Sequence, residues 1–282
     1  MKVLRTRKEA LHYVSILKKE GKTIGFVPTM GALHDGHLSL VQHAIKSSDH
    51  TIASIFINPL QFNNQKDFEN YPKDFENDLL LLKNAGTHAV YLPDVQDIYP
   101  EKTEMRMHFG PLDQIMEGAT RPGHFSGVGI ILSKLFHTLQ PDRVIMGQKD
   151  LQQCAIVDRL IRDLGFPIAL DIAPTVREKD GLAMSSRNRR LTSEQRTQAS
   201  TLYQALSTVA AALKKGENWA TAQKTAWEKL ETTPGLKVVY LEWVDLPDLQ
   251  PTRTLGSAEK QALCIAAFLG EIRLIDNLII NN

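Results

Sequence analysis

Apolar residues fall in short runs separated by polar stretches, and their period changes along the chain. Residues 23–27 form a compact apolar run closed by Pro28, which predicts a buried strand. From His37 onward, Leu38, Leu40, Val41, Ala44 and Ile45 take a helical spacing. Residues 51–57 are β-branched and stop at the turn signal Asn58-Pro59. Leu79, Leu80, Leu82 and Ala85 predict a helix over 75–85 that ends at Gly86. A strand over 88–92 is followed by a polar segment reaching to about Phe109. Further on, the pattern predicts a helix over 128–139, a strand over 143–146 opening into Gly147, a helix over 151–164 and a strand over 168–172.

Alternation of this kind implies a parallel sheet covered on both faces, with ligands gathering at the carboxyl ends of the strands. Segments 28–37, 58–62 and 147–150 all follow predicted strands. After about Val176 the pattern changes. A polar loop over 177–190 precedes helical stretches at 193–214 and 218–230, then β-rich runs at 237–244 and 263–275. Helices followed by strands suggest a second, smaller α+β region. The expected division is therefore 1–176 and 177–282, with no internal repeat.

Composition narrows the class. The chain has 282 residues, 43% of them hydrophobic, and 33 Lys+Arg balance 32 Asp+Glu to a net charge of +1. That balance offers no basic field for nucleic acid and no acidic tail. The apolar runs are too short for a membrane span, and charges in residues 1–9 interrupt what a signal peptide requires. Cys154 and Cys264 are isolated, giving neither a disulfide framework nor a metal knuckle. A reduced, cytoplasmic protein is the expectation.

Three segments carry candidate chemistry. Met30-Gly31-Ala32-Leu33-His34-Asp35-Gly36-His37 places two histidines three apart, across a glycine-containing turn into a helix. Glycines let a ligand approach the backbone, a helix amino end offers free N–H groups, and imidazoles donate to phosphate oxygens. The same residues also read as a surface turn, or as a zinc pair lacking a third ligand cluster. Gly147-Gln148-Lys149-Asp150 joins a strand to a helix, where a lysine can face developing charge on a phosphate or simply be solvated. Met184-Ser185-Ser186-Arg187, inside the polar loop, reads as a phosphate clamp or as a flexible linker. Gln61 suits a polar organic substrate, and either Gln152 or Gln153 could turn toward a cleft. Arg121 and His124 could serve an anion or cap a helix. The tryptophans at 219, 227 and 243 read as core.

Taken together, these segments resemble the pantothenate synthetase family. His34-Asp35-Gly36-His37 is similar to the His-x-Gly-His signature of class I aminoacyl-tRNA synthetases and related nucleotidylyltransferases. Pro28-Thr29-Met30-Gly31, Asn58-Pro59-Leu60-Gln61-Phe62, Arg121-Pro122-Gly123-His124-Phe125, Lys149-Asp150-Leu151-Gln152-Gln153 and Met184-Ser185-Ser186-Arg187 resemble that family in particular. The resemblance implies a Rossmann-like nucleotide-binding domain and a smaller carboxyl-terminal domain, assembled as a homodimer. It implies a ligase that joins (R)-pantoate to β-alanine with ATP, through a pantoyl adenylate, giving pantothenate, AMP and diphosphate, with Mg²⁺ on the phosphates. By the same resemblance, Met30 through His37, Gly147, Gln148, Lys149, Asp150, Val176, Met184, Ser185, Ser186 and Arg187 form the ATP site. Gln61 and Gln153 hold pantoate and β-alanine, and His34, His37, Lys149 and Arg187 act on the reaction. No protein metal ligand is implied. Family members commonly carry Glu where this chain has Gln148, which removes a negative charge beside Lys149. Another His-x-Gly-His nucleotidylyltransferase, a metal-dependent hydrolase and a non-catalytic nucleotide-binding protein are the competing readings.

Overall fold

The computed structural model describes residues 1–63 and 65–281; position 282, the end of the expected second region, lies outside them. Two compact units emerge, one of residues 1–147 and 152–173, the other of residues 148–151 and 174–282.

The first unit runs β1 (Lys2–Leu4), α1 (Arg7–Lys19), β2 (Ile24–Thr29), α2 (Asp35–Ser47), β3 (His50–Ile55), α3 (Gln65–Glu69), α4 (Phe75–Asn84), β4 (Ala89–Tyr91), α5 (Val95–Ile98), α6 (Met116–Thr120), α7 (His124–Leu139), β5 (Arg143–Gly147), α8 (Leu151–Leu164) and β6 (Ala169–Ala173). Its six strands pair in parallel in the order β1-β4-β3-β2-β5-β6. The order therefore reverses between β2 and β5, the place where such sheets open a crevice. Both faces are covered, as successive side chains on β2 show. Phe26 meets Phe136 of α7 edge-on at 6.4 Å, whereas Val27 joins Leu40, Val41 and Ala44 of α2 and Leu82 of α4 in one buried cluster. Helix α7 is buried on nearly every side, which fits its Val128–Leu139 apolar density.

The second unit continues with α9 (Ser193–Ala199), α10 (Thr201–Lys214), α11 (Trp219–Glu231), β7 (Leu236–Asp245), β8 (Gln250–Pro251), β9 (Lys260–Leu269) and β10 (Ile272–Asn281). Its strands form an antiparallel sheet in the order β10-β9-β7-β8. Leu263, Ile265, Ala267 and Leu269, alternate residues of β9, share a core with Leu202, Leu206, Val209 and Leu213, spaced by helical turns on α10. Trp219 and Trp243 stack tilted at 5.7 Å inside this core, while Trp227 is only partly buried and donates to Glu231 at 2.9 Å.

Two expectations change. The helical stretch over 193–214 is two helices, because Ser200 breaks the run between Ala199 and Thr201. The β-rich run over 263–275 is the inner part of a hairpin, β9 and β10, turned by Gly270 (φ +59°) and Glu271. Both cysteines are buried.

Candidate active site

Strand β2 stops at Thr29 and α2 starts at Asp35, and the residues between are tied down from both sides. Thr29 Oγ1 donates to the Ser54 carbonyl at 2.7 Å and accepts the Gly31 N–H at 3.2 Å. Asp78, fully buried on α4, accepts the N–H of Ala32 on one carboxylate oxygen and that of Leu33 on the other, each at 2.8 Å. Gly31 has φ +83°, and a Cβ there would stand 2.8 Å from Asp78 Oδ2 and 3.1 Å from Ile55 Cγ2. Glycine is thus what lets the carboxylate come close. Ala32 is held at φ +51°, a conformation that side-chain-bearing residues adopt only under such restraint.

The two histidines follow directly. His34 precedes the first turn of α2, His37 lies within it, and their ring centroids are 4.1 Å apart. The His34 N–H donates to His37 Nδ1 at 3.4 Å, which leaves the proton of a neutral His37 on Nε2. Both rings are partly exposed at the positive end of the helix, where an anion is favoured. Asp35 is exposed and Gly36 partly so, whereas Ala32 and Leu33 are buried.

Gln61 is a neighbour of this turn: its Nε2 lies 2.9 Å from Met30 Sδ. The buried Asn58 donates to Gln61 Oε1 at 3.2 Å and to the Gly127 carbonyl at 3.1 Å, and accepts the Tyr99 hydroxyl at 2.8 Å. Burial pushes the Tyr99 phenol well above its ordinary range, so it stays a donor. Behind Gln61, His124 Nδ1 donates to the Gln61 carbonyl at 2.8 Å, and Arg121 Nη1 meets His124 Nε2 at 3.1 Å. A guanidinium only donates, so the Arg121 contact fixes His124 as the neutral Nδ1–H tautomer. Arg121 also lies 3.6 Å from Glu117. The pair left undecided by sequence therefore braces the glutamine's backbone.

At the end of β5, a Cβ on Gly147 would meet only Leu40, at 4.0 Å. Packing does not demand glycine there. Of the two glutamines on α8, Gln152 is buried, donating to the carbonyls of Leu112 (2.7 Å) and Ile115 (2.9 Å) and accepting from Glu117 N–H (2.9 Å). Gln153 is partly exposed.

The remaining candidates belong to the second unit. Lys149 Nζ lies 3.5 Å from Asp150 Oδ1. The Gln148 side chain donates to Asn277 Oδ1 at 3.1 Å, and Asn277 Nδ2 donates to the carbonyls of Gln148 and Lys149, both at 2.9 Å. Arg177 makes a two-pronged pair with Asp276 at 2.6 and 2.9 Å and donates to the Asn277 carbonyl at 2.9 Å. Burial pushes the Asp276 carboxyl up, against the pull of Arg177. Met184 N–H donates to the Val176 carbonyl at 3.0 Å, joining the two flanks of the 176–184 loop. Ser185 Oγ accepts the Arg187 N–H at 3.3 Å, and Ser186 is buried.

Each unit thus groups its own candidates: Met30 to His37 with Gln61 in the first, Gln148 and Lys149 with Val176 to Arg187 through β10 in the second. Sequence reasoning missed Asp78, Tyr99, Asp276 and Asn277.

The sequence profile of the family described as pantoate-beta-alanine ligase matches residues 2–279. The chain belongs to the pantoate–β-alanine ligase family. A pantothenate synthetase of Cytophaga hutchinsonii is 45% identical over 264 residues, 93% of each chain. Among solved structures, the pantothenate synthetase of Thermus thermophilus superposes with a TM-score of 0.92 at 42% identity, covering 99% of both chains. The pantoate–β-alanine ligase of Francisella tularensis, complexed with beta-gamma ATP and beta-alanine, gives 0.82 at 32% identity, covering 99% of this chain and 97% of that one. Membership in the pantoate–β-alanine ligase family makes the chain a ligase of the pantothenate-forming reaction.

Proposed function

We propose that this ligase activates (R)-pantoate with ATP to a pantoyl adenylate and passes the acyl group to β-alanine, using the residues of the two segments described above. The observation that carries the reading is the His34–His37 pair at the amino end of α2, on the loop leaving β2 where the strand order reverses.

The pantoate carboxylate is already ionised near neutral pH, so its attack on the α-phosphorus needs no general base. The carboxylate oxygen bonds to phosphorus as the bond to diphosphate breaks. The barrier lies in bringing anions together and in charge growing on the departing diphosphate, so positioning and cationic donors dominate. On this reading His37 donates from Nε2, and His34, Lys149 and Arg187 face phosphate oxygens. Met30 to His37, Gly147 to Asp150, Val176 and Met184 to Arg187 are assigned to the nucleotide. Ala32 and Leu33 contribute a fixed backbone, since their N–H groups are bonded to Asp78. Gln61 and Gln153 hold pantoate and β-alanine. In the second step the neutral amine attacks the acyl carbon, AMP leaves with the electron pair of the broken acyl–oxygen bond, and the surplus amine proton passes to solvent.

Among the described residues, no group of three His, Cys, Asp or Glu is placed to hold a metal ion. Mg²⁺ is assigned to the ATP phosphates, hard oxygen ligands of the kind it prefers. When bound, it neutralises phosphate charge. The reading assigns residues 1–176 to nucleotide and pantoate and residues 177–282 to a smaller carboxyl-terminal α+β domain. It takes the protein as a cytoplasmic homodimer, which light scattering would report as about twice the 31.6 kDa chain.

Diphosphate release tests the reaction. With ATP, Mg²⁺ and pantoate, release should stop near one equivalent of enzyme; adding β-alanine should make it continuous. Release that requires a phosphate-bearing acceptor, or ATP binding without release, would favour the competing readings.

A further inference from the structure

The residue that shapes the Lys149 turn lies far from it in sequence, on the last strand of the second unit. Asn277 is 2% exposed, and its side-chain amide is wholly engaged. Both Nδ2 hydrogens go to consecutive carbonyls, those of Gln148 and Lys149, and Oδ1 takes the Gln148 side chain. A primary amide has two donor hydrogens, and here both converge on a single turn. Two consecutive carbonyls gathered onto one nitrogen fix the two peptide planes that flank the Lys149 Cα, and with them the direction in which its side chain leaves the backbone.

Asn277 is itself held. Its N–H donates to Asp276 Oδ1 at 2.7 Å, and its carbonyl accepts from Arg177. Arg177 is clamped by Asp276, donates to the Gly181 carbonyl at 3.0 Å and lies over the Tyr203 ring at 4.0 Å. The Asp276–Asn277 pair therefore grips the Lys149 turn with one residue and the base of the 176–184 loop with the other.

We propose that Asn277 is a positioning residue for Lys149, and that with Asp276 it sets the Lys149 turn and the loop bearing Ser185 and Arg187 in register on β10. The proposal rests on the reading that Lys149 faces phosphate. Buried hydrogen-bonded polar groups of this kind specify geometry more than they add stability.

The test is a double-mutant cycle on the full chain, read as single-turnover diphosphate release with ATP, Mg²⁺ and pantoate. Asn277→Ala should slow that step by about 10- to 100-fold, the range expected when a reacting group is misplaced by an ångström, with pantoate affinity unchanged. Asn277→Asp, equal in size but turning an acceptor toward the two carbonyls, should show the same split. In a Lys149→Ala background, Asn277→Ala should cost almost nothing further, because the group it positions is gone. Melting temperatures separate this from general damage: a lowered melting temperature with an unchanged rate well below it would overturn the proposal. So would an equal loss from Asn277→Ala in both backgrounds. If Lys149→Ala itself reacts at the parental rate, the phosphate role of Lys149 falls, and the positioning role with it.

Discussion

Asp78 and Lys149 do opposite things with their charge. Asp78 is buried and gives one oxygen to each of two successive amides, so that Gly31 and Ala32 remain in left-handed conformations. Asp78→Asn would place an NH₂ against one of those amide hydrogens and leave it unsatisfied, at a cost of about 1–3 kcal/mol. The expected result is a lowered melting temperature together with a raised KM for ATP, because the His34–His37 turn is the element released. Lys149 has no such bracing duty, as the ion pair it makes is with its own neighbour, Asp150. Lys149→Ala should lower the adenylate-forming rate by about 10²–10³-fold, as for other donors aimed at transition-state charge, with little change in pantoate KM. Rapid-quench measurement of pantoyl adenylate distinguishes the two variants: the first weakens ATP binding, the second slows the chemistry.

Helix α7 presses on the turn that carries Gln61. A Cβ on Gly127 would fall 2.3 Å from the Leu60 carbonyl oxygen and 2.7 Å from Gln61 N, both backbone atoms that cannot swing aside. Gly127→Ala should therefore destabilise the fold by about 1–3 kcal/mol and raise the pantoate KM, readable by thermal melting and steady-state kinetics. Such contacts explain what the sequence disclosed and what it hid. Leu151–Leu164 is a helix with the bounds its apolar period predicts. Helix α1 is absent from that reading because its surface is polar. Its stripe is only Ala10, Val14 and Leu17, although Thr6 accepting Glu9 N–H at 3.2 Å is a legible cap. The β9–β10 hairpin stays hidden because β9 is apolar over most of its length, Ile272, Leu274 and Ile275 of β10 follow at once, and only Gly270-Glu271 divides the strands. For the site, the His34–His37 turn and the Lys149 turn are local and visible by spacing. Asp78 acts 46 residues from Ala32, and Asn277 acts 129 residues from Gln148; no local period encodes such pairings.

At the scale of the molecule, a histidine far from the candidate site couples stability to pH. Burial, aided by the neighbouring His50, holds the His88 imidazole below its ordinary value. His88 Nδ1 accepts the Thr51 N–H at 3.0 Å, and its ring stacks on His50 at 4.4 Å. The unfolded chain then takes up this proton more readily than the folded one. Stability is full above an unfolded pKa of about 6.5 and declines as pH falls from there toward the folded pKa. His88→Asn, which keeps an acceptor for Thr51, should flatten that decline in melting temperature below about pH 6.5. A slope equal to the parent's would assign the acid sensitivity elsewhere.

The contrast between the two sheets bears on how the chain reaches its native state. In the antiparallel sheet, β9 and β10 are joined by two residues, whereas β2 and β5 of the parallel sheet lie side by side with more than a hundred residues between them. Near-neighbour pairings close early in refolding and distant ones late. All three tryptophans, 219, 227 and 243, sit in the antiparallel unit, so their emission is a clock for that unit alone. After dilution from urea, indole fluorescence should recover ahead of the capacity to form pantothenate, and the lag between the two would time the assembly of the crossover sheet.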